Sequence, residues 1–119
     1  MSVQDYKSLI VWQKALKLVI CTYELTEHFP KSEMYGLVSQ MRRASVSIPS
    51  NIAEGSRRSS RKDFRQFILN AYGSGAELET QIEIAKLLPF GKNLQYIEID
   101  GLLNEVMRML NGLQDSLSS

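Results

Sequence analysis

The sequence is poor in the residues from which many enzymes and most metal sites are assembled. Of 119 residues, one is cysteine and one is histidine. Cys21 alone excludes an internal disulfide framework and a multi-cysteine zinc site. His28 alone excludes histidine-rich metal clusters and a two-histidine mechanism. Charge of one sign is equally scarce: 14 Lys+Arg stand against 13 Asp+Glu, a net charge of +1. That balance rules out a uniformly basic nucleic-acid coat and an acidic disordered tail. No apolar run approaches the ~20 residues of a membrane span, and residues 1–17 are too interrupted by charge for a signal-peptide core. The expectation is a single cytoplasmic domain over residues 1–119, with 44% hydrophobic residues to build one core.

Turn signals are few as well. Phe29–Ser32, Gly55–Ser60 and Pro89–Lys92 are the turn-like clusters, and they divide the chain into four segments. Each carries apolar residues at spacings of three and four, which predicts helices over about 8–28, 33–54, 61–88 and 93–116. The first helix has one apolar stripe at Trp12, Leu16, Val19, Tyr23 and Thr26 and a second at Val11, Leu18 and Leu25. Two apolar faces call for two sets of neighbours, inside the domain or across a subunit boundary. Ser32 is placed as the N-cap of the second helix, and Ser60 with Asp63 as a capping pair for the third. Gly55 is placed as a left-handed C-terminal stop. Pro49 lies inside the second helix and predicts a kink or break between Ser45 and Pro49. Gly73 and Gly75 in the third predict close approach by the small residues Ala44, Ser45 and Ser47. Long rods joined by short loops must lie beside one another in alternating directions. The expected fold is therefore all-α, an antiparallel up-down-up-down four-helix bundle.

The near-neutral total conceals a segregation. Residues 42–65 hold Arg42, Arg43, Arg57, Arg58, Arg61, Lys62 and Arg65 against only Glu54 and Asp63, while the rest has seven basic and eleven acidic residues. Arginine's planar fork suits bidentate phosphate recognition. The seven basic residues are thus the candidate nucleic-acid-binding set, expected to crowd one end of the bundle. The alternative is a solvated loop whose arginines pair with nearby acids. No aromatic residue is interleaved from Arg57 to Lys62, so contact would be with backbone and shape rather than base edges. Loop symmetry brings Arg43 near Gly73–Glu77, which predicts a partly buried Arg43–Glu77 ion pair that fixes register.

Candidates for chemistry fall away. Glu24 and His28 have metal-compatible spacing but no second pair to complete a site. Cys21 has no basic neighbour to activate it and is expected as buried filler. Gly73-Ser74-Gly75 lacks the lysine and the preceding strand of a phosphate loop. The expectation is a protein that is not an enzyme, with no catalytic residue, no metal and no cofactor.

The run Gln40-Met41-Arg42-Arg43-Ala44-Ser45-Val46-Ser47-Ile48-Pro49-Ser50-Asn51-Ile52-Ala53-Glu54-Gly55 resembles the signature of the bacterial four-helix-bundle proteins encoded in intervening sequences of 23S ribosomal RNA genes. Val11–Ala15, Phe29-Pro30, Tyr35–Leu37, Gly73-Ser74 and Glu77–Glu79 fit in order, so the resemblance covers roughly residues 6–90. It implies a four-helix bundle that assembles into a ring, typically a homopentamer, with a role in binding nucleic acid; in such a ring the second stripe of the first helix, Val11, Leu18 and Leu25, is the expected subunit interface. A related protein, the accessory variability protein of diversity-generating retroelements, engages a reverse transcriptase and RNA through a more basic barrel. The resulting expectation is a non-catalytic homo-oligomer that binds structured RNA or DNA through its arginine-rich end. The alternative is a protein-interaction scaffold or accessory subunit for a reverse transcriptase or another acidic partner.

Overall fold

The structure, a computed structural model, describes residues 5–118. Four helices make up the chain: α1 (Ile10–Thr26), α2 (Ser39–Ser56), α3 (Arg61–Leu87) and α4 (Ile97–Ser116). Side-chain contacts show how they lie. Ser47 meets Ser74 while Gly55 meets Phe64 and Phe67; Arg65 meets Gln114 while Lys86 meets Asp100. Contacts that climb one helix descend its neighbour, so adjacent helices run in opposite directions. Each helix packs on two others, with α4 closing back on α1. The result is a rod of 46 × 23 × 21 Å.

One stripe per helix fills the axis. Leu18, Met41, Ile48, Ile52, Ile68, Leu78, Ile82, Ile99, Val106 and Leu110 are buried, each removing on the order of 1.5–3 kcal/mol of apolar side chain from water. On α1 the inward row is Val11, Ala15, Leu18, Thr22 and Leu25. This corrects the assignment of Val11, Leu18 and Leu25 to a subunit interface, because the bundle's own core already covers them. The other stripe is rotated off the axis: Trp12 and Val19 are half-buried, while Leu16 and Tyr23 are exposed. Thr22 and Thr26 can be buried inside α1 because their hydroxyls donate to Leu18 and Thr22 carbonyls at 2.7 and 2.8 Å.

The helix boundaries follow local chemistry, with several departures from expectation. Ser60 does cap α3, accepting from the Asp63 amide at 3.1 Å. Ser32 caps nothing; it lies in a 3-10 turn (Lys31–Glu33), and Glu33 instead accepts from the Leu37 amide. A π-helical turn over Met34–Val38 then leads into α2. Pro49 lies inside α2 without ending it, and the backbone is non-helical at Gly36 (φ −111°, ψ −111°), ahead of α2. Gly55 does not adopt a left-handed conformation, and α2 continues to Ser56. Its requirement is steric: a Cβ there would stand 2.6 Å from Phe67 Cβ. Gly75 is likewise a point of close approach, but to Met107 of α4 rather than to α2, and Gly73 faces open space. The fourth helix begins at Ile97 rather than Asn93, since Pro89–Tyr96 form a turn tied by the Tyr96 hydroxyl donating to the Gly91 carbonyl at 2.9 Å.

Candidate nucleic-acid interface

The α2–α3 connection gathers Arg57, Arg58, Arg61, Lys62 and Arg65 at one end of the rod, beside the C-terminus of α4. The last turn of α4 leaves carbonyls short of backbone donors, carries the negative end of the helix dipole, and has no basic residue of its own. Arg61 donates to the Ser116 carbonyl at 2.6 Å, and Arg65 donates to the carbonyl and side-chain oxygen of Gln114 at 3.1 and 2.7 Å. These two arginines cap α4 from α3. Carbonyls hold a guanidinium without cancelling its charge, so the end stays electropositive although some donors are occupied.

The other three differ. Arg58 pairs with Glu54 at 2.7 Å and lies 4.7 Å from the centre of the Phe67 ring. Both partners are about half exposed, so the pair is weak and open to exchange. Arg57 leans over the Tyr6 ring at 5.3 Å. Arg57 and Lys62 are exposed and make no ion pair among the described residues.

Arg42 and Arg43 do not join this group. They stand fifteen residues before Arg57 on α2, about 22 Å along the helix axis, beside the C-terminus of α1. The expectation that all seven basic residues crowd one tip is therefore corrected, because a continuous helix carries the first two toward the opposite end. Arg42 is fixed there: its Nε donates to Thr26 Oγ1 at 2.9 Å, and its guanidinium lies 4.4 Å from the Tyr23 ring centre and 3.4 Å from Glu27. Arg43 is exposed and makes no ion pair among the described residues. The proposed Arg43–Glu77 pair is absent at ion-pair distance; the two line one groove between α2 and α3, of about 410 Å³, and both heads remain in solvent. The loop arithmetic placed them at one level, but hydration offers an exposed pair more than contact does. Gln81, buried in the same groove, has a side-chain oxygen with no donor among the described residues.

Residues that sequence reasoning passed over lie beside Arg42 and Arg43. Tyr23, assigned to a core stripe, is exposed on the α1 surface, and Tyr35 in the π-helical turn is 97% exposed. With Met34, Val38, Ser39, Val46 and Ser47, they line a groove of about 590 Å³. The placement of Tyr35 depends on the wide turn at Gly36, for which the sequence carries no distinct signal.

Cys21 and His28 line a third cavity with Glu24 and Glu98, of about 530 Å³. Burial, reinforced by the Glu98 and Glu24 carboxylates, pushes the Cys21 thiol up to about 11. The thiol is held protonated and is a poor nucleophile at neutral pH. Among the described residues no three His, Cys, Asp or Glu side chains are grouped to hold a metal ion, and no helix is long and apolar enough to cross a membrane.

A family model described as the 23S rRNA-intervening sequence protein matches residues 7–112. The chain belongs to that family. The match reaches into α4, beyond the residues 6–90 that carried the resemblance. Comparison with curated proteins finds no match. The run Gln40–Gly55 that carried the resemblance is α2 almost end to end. That helix supplies the core through Met41, Ile48 and Ile52 and bears Arg42 and Arg43 on its outer faces.

Proposed function

We propose that this chain is a non-catalytic, self-associating protein that binds nucleic acid electrostatically through its α2–α3 end. The observation that carries the reading is the cluster of exposed Arg57, Arg58, Arg61 and Lys62 heads around one turn, opposed only by Glu54 and Asp63 nearby in sequence. Arg61 and Arg65, anchored on α4 carbonyls, supply a fixed positive field; Arg57 and Lys62 make no ion pair among the described residues, and the exposed pair of Arg58 with Glu54 can exchange for a phosphate. Such contact positions a backbone and does not read bases. Four cations engaging duplex DNA give a log affinity against log salt slope of about −3.6 per subunit. The test is retention of a hairpin duplex across a salt series by wild type and by the triple variant Arg57→Glu, Arg58→Glu, Lys62→Glu. Loss of binding with unchanged helical circular dichroism is expected; equal affinity overturns the reading.

Self-association rests on a separate observation. With Val11, Leu18 and Leu25 in the core, α1 still exposes Ile10, Leu16 and Ile20, at 60%, 37% and 60%. An apolar row on one face of a polar rod marks a contact surface. The family resemblance implies a ring of five copies, in which each charged end repeats about the axis and multiplies weak phosphate contacts. The same row also suits an accessory or scaffold role toward a protein partner. Introducing a charge at Ile20 (Ile20→Glu) separates a mass that falls to one subunit from one that is unchanged.

A further inference from the structure

The groove between α1 and α2 lies at the end of the rod away from the α2–α3 turn, and its chemistry is different. Three properties coincide there. Tyr35 is almost wholly exposed, yet its turn is anchored by buried Leu37 and Val38 and by Glu33 accepting from the Leu37 amide at 3.2 Å. An aromatic ring is thus held in solvent by an ordered backbone. Tyr23 forms the opposite flank, with Arg42 fixed over its ring and tied to Thr26. Arg43 supplies a guanidinium with no ion-pair partner among the described residues, next to the hydroxyls of Ser39 and Ser47.

Aromatic faces, a planar cation and a free cation around one concave surface are what an unpaired nucleotide chain requires. Bases stack on tyrosine or guanidinium planes irrespective of sequence, and the phosphates between them need a cation. A duplex offers no such faces, because its bases are already stacked on one another. We propose that this groove docks a single-stranded segment of nucleic acid, with Tyr35 and Tyr23 stacking bases and Arg43 contacting a phosphate. The inference rests on the nucleic-acid reading above and adds a second site with a different substrate form: phosphate backbone at the α2–α3 end, unpaired bases here. Glu27 faces Arg42 from α1 and neutralises part of its charge, which leaves Arg43 as the principal phosphate contact.

The test measures binding of a dye-labelled adenylate RNA octamer and of a blunt hairpin duplex to wild type, Tyr35→Ala, Tyr35→Phe and Arg43→Ala. Removing so exposed a ring leaves packing intact, so folding does not confound the readout. Tyr35→Ala is expected to weaken octamer binding about tenfold, Tyr35→Phe to retain it, and neither to change hairpin binding. Arg43→Ala is expected to make the octamer's salt slope shallower by about 0.7. Wild-type octamer affinity in Tyr35→Ala, with the hairpin still bound, overturns the groove and leaves the α2–α3 site standing. Failure of wild type to bind either probe overturns both.

Discussion

Both ends of the rod use arginine to cap a neighbouring helix, and they differ in the basic residues left over. At the α2–α3 end, Arg61 and Arg65 reach across to the final carbonyls of α4. At the other end, Arg42 does the corresponding service for α1, donating to the Tyr23 carbonyl at 3.4 Å and to the Thr26 hydroxyl. Neither α1 nor α4 has a basic residue in its own last turn, so each borrows its cation from a neighbouring helix. Three of the seven basic residues singled out by charge segregation are therefore C-terminal caps. What remains divides unevenly: Arg57, Arg58 and Lys62 form a field of charge with Phe67 and Tyr6 as packing surfaces, whereas Arg43 stands alone among exposed tyrosines. Clustering in sequence is not clustering in space when an 18-residue helix separates the members.

The sharpest way to break this comparison is to reverse the charge of one capping arginine and of one that caps nothing. Arg65→Glu deletes two hydrogen bonds to Gln114 and sets a carboxylate against the negative end of α4. A loss of about 2–3 kcal/mol in denaturant unfolding is expected, whereas Arg43→Glu should stay within about 0.5 kcal/mol. Equal costs would show that capping and exposed arginines are not differently used. A smaller effect separates the glycines. Gly55→Ala forces a Cβ onto Phe67 and Phe64, with an expected cost of about 1–3 kcal/mol. Gly73→Ala meets nothing within 4 Å and should stabilise by about 0.5–1 kcal/mol through helix propensity. Thermal unfolding of the pair would expose an error in either placement.

The smallest effect is alkaline and belongs to the groove end. Cys21 would ionise near 9.0 in the unfolded chain and near 11 when folded. Between those values the folded state binds the extra proton, so stability falls as pH rises through that window. Lys86, whose pKa is raised by hydrogen bonds to Asp100 and Glu83, contributes stability that is complete below 10.5 and lost above its folded value. Melting temperature should therefore decline above pH 9, and Cys21→Ala should flatten the first part of that decline. An unchanged slope in the variant would remove Cys21 as its source.

Much of the architecture was legible before any coordinates. Spacings of three and four located four helices, Ser60 announced the start of α3, and the run Gln40–Gly55 carried the family resemblance. The errors arose where a local rule met a tertiary neighbour. Gly55 read as a local backbone stop and Gly75 as a point of approach by the second helix, yet what excludes a side chain is Phe67 in one case and Met107 of α4 in the other. The two stripes of α1 are both apolar, and composition alone could not say which one turns inward; the inward row is the one that accommodates small Ala15 and self-satisfied Thr22.

By itself the sequence determined the helices, their number and order, because periodicity and capping act within a few residues. Only the tertiary structure decided which arginines remain available. Their fate depends on carbonyls at the ends of other helices, some fifty residues away along the chain, and those unsatisfied acceptors exist only once the bundle has brought helix ends together.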